Sequence, residues 1–111
     1  MATTADTYGS MTVVTVEPAV TRPECEAFRR IADAQLRAGG RWFVLDLSRA
    51  SALDSHGLEE LLAFQEKVES LGGAVKVAGL KGHTRTIFQI TRFDKKFEVF
   101  DSVHDAVRNF Y

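Results

Sequence analysis

Cysteine is nearly absent from this 111-residue chain: Cys25 stands alone, so no internal disulfide can form and the fold must be held by its core. A single thiol fits a reducing compartment. Proline is scarce as well, with only two residues, which argues against a disordered or extended linker chain. An excess of charge is missing too. Fourteen basic and fifteen acidic side chains leave a formal net charge of -1, so there is no positive surplus to displace counterions from a nucleic-acid backbone, and direct nucleic-acid binding is not expected. No apolar run approaches the roughly 20 residues that span a bilayer, so membrane insertion is not expected. Met1 to Ser10 has neither a basic start nor an apolar centre, which leaves the cytoplasm as the expected location.

What is present is the balance of an ordinary globular domain, 45% hydrophobic and 26% charged. The length is one domain's worth, and a chain of this size buries about 65% of the surface it exposes when unfolded. The expected organisation is a flexible N-terminal arm over residues 1–10, with a strand beginning near Tyr8 left open at its end, and a single domain over residues 11–111. Lys81, Arg85, Arg92, Lys95 and Lys96 gather in the last third, but Asp94, Glu98 and Asp101 sit among them, the pattern of a solvated face.

Met11 to Glu17, rich in Val and Thr, reads as a first strand. Thr21-Arg-Pro-Glu24 offers an N-cap hydroxyl, a proline in the first turn and a carboxylate at N3, so a helix should start there. Phe28, Ile31, Ala32 and Leu36 give it one buried stripe, and Gly39-Gly40 supplies a left-handed stop. Trp42 to Leu47 is nearly continuous in apolar residues, as a central strand covered on both faces would be. Leu58, Leu61, Leu62, Gln65, Val68 and Leu71 repeat at helical spacing up to Gly72-Gly73. Val75 and Val77 mark another strand, a helix follows from about Thr84, and Phe97, Val99 and Phe100 suggest a last short strand. Ser102 and Asp105 open a terminal helix. Strands alternating with helices imply crossovers onto a largely parallel sheet.

Chemistry concentrates where the Trp42 to Leu47 strand turns into the next helix. Asp54 and Ser55 fall at that helix's start, and taken alone an Asp-Ser pair there reads as a cap. Asp54, Ser55 and His56 are residue types used in nucleophilic catalysis, but neighbours on a helix point about 100° apart and cannot align as a triad, and no Gly-x-Ser-x-Gly elbow is present. Enzymatic activity is therefore not expected. A phosphocarrier role for His56 would rest on an imidazole at a helix start, without a surrounding motif to support it. His56, His83 and His104 lack metal-ligand spacing, and the glycine pairs end helices rather than cradle a phosphate, so neither metal nor cofactor is expected.

The wider pattern resembles the STAS family, which includes anti-sigma factor antagonists and the cytoplasmic tails of sulfate transporters. The likeness is carried by Val44-Leu-Asp-Leu47, Leu53-Asp-Ser-His-Gly-Leu58, Leu61-Leu62 and Leu71-Gly-Gly-Ala-Val-Lys-Val77, with weaker echoes at Thr84 to Phe88 and Phe97 to Val103. It implies an α/β, STAS-like (SpoIIAA-like) fold: a mixed, mostly parallel sheet of four to five strands with about four helices.

In the antagonist branch the serine after this aspartate is phosphorylated by a kinase that doubles as the anti-sigma factor. The resemblance thus implies Ser55 as the phosphorylation site and a partner-binding patch of Asp54, Ser55, His56, Gly57 and Leu58. Asp54 would set local geometry, Gly57 would admit a partner's backbone closely, and His56 and Leu58 would add contact specificity. The implied partners are a serine-kinase anti-sigma factor and a phosphatase, with weak homodimerisation left open. The alternative implied is a STAS accessory subunit of a lipid or anion transport complex without a phosphoswitch. Two departures stand out. His56 occupies a position where the family usually has a small hydroxyl residue, and Val16 to Thr21 matches the family's first loop poorly.

Overall fold

A computed structural model describes residues 3–111. Five strands form one sheet: β1 (Thr4–Tyr8), β2 (Met11–Thr15), β3 (Trp42–Asp46), β4 (Ala74–Ala78) and β5 (Glu98–Phe100). They lie side by side in chain order. β1 runs antiparallel to β2, and the other neighbours are parallel. Helices α1 (Arg22–Arg37), α2 (Ser55–Ser70) and α3 (His83–Ile90) make the crossovers, and α4 (Val103–Phe110) ends the chain. The mixed, mostly parallel sheet with four helices is the architecture the sequence implied.

Period-two alternation in the strands divides the core. Val14, Val16, Phe43, Leu45, Leu47, Val75 and Val77 face α1, α2 and α3, whose Phe28, Leu61, Phe64 and Phe88 complete the main cluster. Met11, Val13, Val44 and Ala78 face the other way, where Ala106 of α4 covers them with Phe100, Val103, Val107 and Phe110 packed around. Phe43, Val44 and Leu45 of β3 are fully buried, which explains its unbroken apolar run. Phe64 meets Phe28 and Phe43 edge to face, with ring centroids 5.8 and 5.0 Å away.

The punctuation works as the residues foretell. Gly39 and Gly72 adopt positive φ just past α1 and α2. Gly40 N–H then reaches the Gln35 carbonyl and Gly73 N–H the Val68 carbonyl, closing Schellman motifs at both helix ends. Ser102 Oγ accepts the Asp105 N–H at 3.1 Å, capping α4.

One expectation is corrected. Residues 1–10 were expected as a flexible arm, but Thr4–Tyr8 is a full edge strand in register with all of β2. Gly9 at φ 64 and Ser10 form the two-residue turn of that hairpin. Thr-Ala-Asp-Thr-Tyr carries no apolar alternation, so its order comes chiefly from ladder bonds to β2; four of the five residues are exposed, and Ala5 packs against the main core. Met1 and Ala2, also part of the expected arm, lie outside the described residues.

Candidate functional site

Strands β2 and β3 deliver their following loops to the same end of the sheet, and there the starts of α1 and α2 meet. The loop after β2 packs on the loop after β3 through Val20, whose N–H donates to the Ala52 carbonyl at 2.9 Å and which bridges Leu53. Pro18 carbonyl accepts the Ser51 N–H at 2.8 Å.

Asp54 joins the two helix starts. One carboxylate oxygen accepts the Gly57 N–H at 2.8 Å, the N-cap bond of α2. The other accepts the Arg22 N–H at 3.0 Å, the first residue of α1. These are amides that an isolated helix would leave unpaired. The Gly57 N–H, helped by that of Arg22 and by the charge of His56, holds the Asp54 carboxyl below the usual aspartate value of 3.8 against an opposing desolvation effect.

The five residues implied by sequence do not share one fate. Ser55 and His56 are exposed in the first turn of α2, and Asp54 is half-buried. Ser55 therefore stands open to a visiting protein. Gly57 and Leu58 are corrected as contact residues because both are buried; Leu58 retains 7% exposure and belongs to the main core. Gly57 does serve a close approach, but an internal one: a Cβ there would lie 1.8 Å from the Val20 carbonyl oxygen.

Sequence reasoning missed the α1 side of the site. A groove of about 440 Å³ runs between α1 and α2, with Arg22, Glu26 and Arg29 on one wall and His56, Glu59 and Glu60 on the other. Arg29 is taken by Glu60, with N–O distances of 2.7 and 3.0 Å. The Arg22 guanidinium has no hydrogen bond or ion pair among the described residues. Cys25 lies at the groove floor, where burial above all, and then nearby carboxylates, push its thiol pKa up and keep it protonated. The only sequence sign of this wall was the capping pattern at Thr21, where the Glu24 carboxylate accepts the Thr21 N–H at 3.0 Å. Nothing local joins Arg22 to a carboxylate 32 residues later.

Among the described residues, no cluster of three or more His, Cys, Asp or Glu side chains could hold a metal ion, and no helix is long and apolar enough to cross a membrane.

The chain is similar to known proteins along nearly its whole length. A protein of Bordetella bronchiseptica named as an anti-sigma factor antagonist, BtrV, is 29% identical over 110 residues, covering 99% of this chain and 95% of that protein. The crystal structure of an anti-sigma factor antagonist from Mycobacterium paratuberculosis superposes with a TM-score of 0.89 at 25% identity, covering 97% of this chain and 92% of that one. A sulfate transporter family protein from Wolinella succinogenes shares the fold at 17% identity, with a TM-score of 0.81 over 94% of this chain and 87% of its own. The STAS domain family matches residues 2–106, and with β1 to β5, the Asp54 cap and the helix start at Ser55 in place, the chain belongs to that family.

Proposed function

We propose that this domain is a phosphorylation-switched antagonist: with Ser55 unmodified it docks on a serine-kinase anti-sigma factor, phosphorylation releases it, and a phosphatase resets it. The observation that carries this reading is the placement of Ser55. It is exposed at the first residue of α2, immediately beyond the capping Asp54, in a chain similar along nearly its whole length to a protein named as an anti-sigma factor antagonist. A phosphate there adds about two negative charges at a contact surface without disturbing the core. A change of only about 1.4 kcal/mol in docking is tenfold in affinity, so a modest electrostatic penalty decides which complex forms. Half-buried Asp54 and exposed Ser55 and His56 supply the contact residues on this reading. Gly57 and Leu58 act beneath them by holding the helix start in place.

The experiment is recovery of the protein from its native cells with bound partners, together with mass-spectrometric mapping of phosphate. The expected result is a kinase-type anti-sigma factor bound to unmodified protein and phosphate on Ser55. In the purified complex Ser55→Asp weakens binding at least tenfold and leaves thermal stability nearly unchanged, because the Ser55 side chain is exposed. Equal affinity of the two forms refutes the switch.

His56 favours a second reading, a STAS accessory subunit of a lipid or anion transport complex, since it replaces the small hydroxyl residue usual beside the phosphoacceptor. A transporter component bound to unmodified Ser55 in the same experiment establishes that alternative.

A further inference from the structure

Ser55 is next in sequence to His56 at the start of α2, and the Asp54 bridge brings the start of α1 to that same turn. Asp54 holds the first residue of α1 to the start of α2 through its 3.0 Å bond from the Arg22 N–H, so the Arg22 backbone is pinned one residue away from the Ser55 turn. Arg22 and His56 line the same groove, and neither side chain has a hydrogen bond or ion pair among the described residues, His56 acting only through its charge on Asp54. The neighbouring guanidinium, Arg29, is already consumed by Glu60.

We propose that Arg22 and His56 form an intramolecular clamp for a phosphate on Ser55, so that phosphorylation withdraws both basic side chains from the docking surface as it adds negative charge. The proposal rests on Ser55 being the phosphoacceptor and deepens that reading. A guanidinium offers a planar fork matched to two phosphate oxygens, and a protonated imidazole offers a further charge-assisted donor. The start of α2 adds the favourable end of its dipole. Four carboxylates face the clamp: Asp54, Glu59 four residues along α2, Glu26 across the groove, and Glu60, which Arg29 neutralises. Asp54 is the nearest in sequence, but both its oxygens are engaged by backbone N–H groups. Glu26 and Glu59 are exposed, so solvent screens them.

Release of a partner then has two causes that act together. The new charge repels an acidic or apolar contact, and any partner carboxylate that had used Arg22 or His56 loses it to the phosphate. Held by two donors, the phosphate should also resist a phosphatase until the clamp opens.

The test uses the full chain with phosphoserine installed genetically at position 55, which requires no kinase. Phosphorus NMR follows the second ionisation of the phosphate in the folded protein and in the same protein unfolded in urea. Folding is expected to lower that ionisation by about one pH unit, tenfold in proton affinity. Arg22→Gln and His56→Gln should each return part of the shift, and Arg22→Lys, which keeps charge without the fork, should retain more than Arg22→Gln. Both substituted positions are exposed, and the amide spectrum of each variant checks that the fold persists. An unchanged shift in the Arg22→Gln, His56→Gln double variant assigns the whole effect to the helix start and overturns the clamp. Absence of phosphate from Ser55 in native cells would instead sink the proposed function while leaving the measured clamp chemistry standing.

Discussion

Gly57 occupies an ordinary helical position, where replacement by alanine normally helps by about 1 kcal/mol through reduced backbone freedom. Here the surroundings reverse the sign. A Cβ at Gly57 would sit 1.8 Å from the Val20 carbonyl oxygen, 2.6 Å from its carbonyl carbon and 2.9 Å from Cγ1, and the first two are backbone atoms. Val20 cannot retreat cheaply, because its N–H is bonded to Ala52 and its carbonyl accepts the Asp54 N–H at 3.3 Å. Overpacking costs roughly 1–3 kcal/mol where side chains can yield, so a backbone collision belongs at or above the upper end. Setting about 3 kcal/mol against the helical gain leaves Gly57→Ala about 2 kcal/mol less stable than the parent, or a melting temperature lower by about 10 °C. Urea titration at pH 7 measures this directly, and amide exchange should show faster opening at Val20 and Asp54 than in β3. Gly72→Ala is the comparison: nothing lies within 4 Å of a Cβ there, and the cost is only the positive φ of 85°, about 1–2 kcal/mol. A Gly57→Ala protein as stable as the parent would refute the argument that this glycine exists to admit Val20.

Two further outcomes follow from the same physics. Because the Asp54 carboxyl is held below 3.8 in the folded protein, its contribution is fully present above that value and fades as pH falls through the lowered folded value; urea midpoints of the parent and Asp54→Asn should differ at pH 7 and converge below about pH 3.8, and a constant difference down to pH 2.5 would contradict this. Lys76 is 6% exposed, with its ammonium 4.5 Å from the Phe110 ring centroid and paired with Glu98, so much of its value lies in the packing of its stem. Lys76→Met should remain within about 1 kcal/mol of the parent while Lys76→Ala falls well below it, and equal losses in the two variants would show that the charge dominates.

The elements most legible in the sequence are those whose own residues carry the reason for their conformation. The β3 run from Trp42, the helical repeat from Leu58 to Val68 and the glycine pairs after α1 and α2 all behave as their periodicity and backbone freedom require. The capping residues Asp54 and Ser102 do so as well, each accepting the N–H three residues on. β1 was illegible because an exposed edge strand is ordered by its neighbour's hydrogen bonds, and Thr4 to Tyr8 holds no apolar code for that partner. At the site, Ser55 was singled out only through a family pattern. The burial of Gly57 and Leu58 was not, since a residue in the first turn of a helix can face core or solvent depending on what the preceding loop lays over it.

From the residues alone came the alternation of strands and helices, the parallel sheet and the boundaries of α1 and α2. Those properties are local, set by periodicity, caps and backbone freedom within a turn or two. Only the folded chain decided that Arg22 lies beside Asp54, that Val20 covers Gly57, and that α1 contributes half of the groove next to His56. Contacts between residues more than thirty positions apart arise when crossovers bring two helix starts to one end of a sheet, and no local pattern in either segment encodes that meeting.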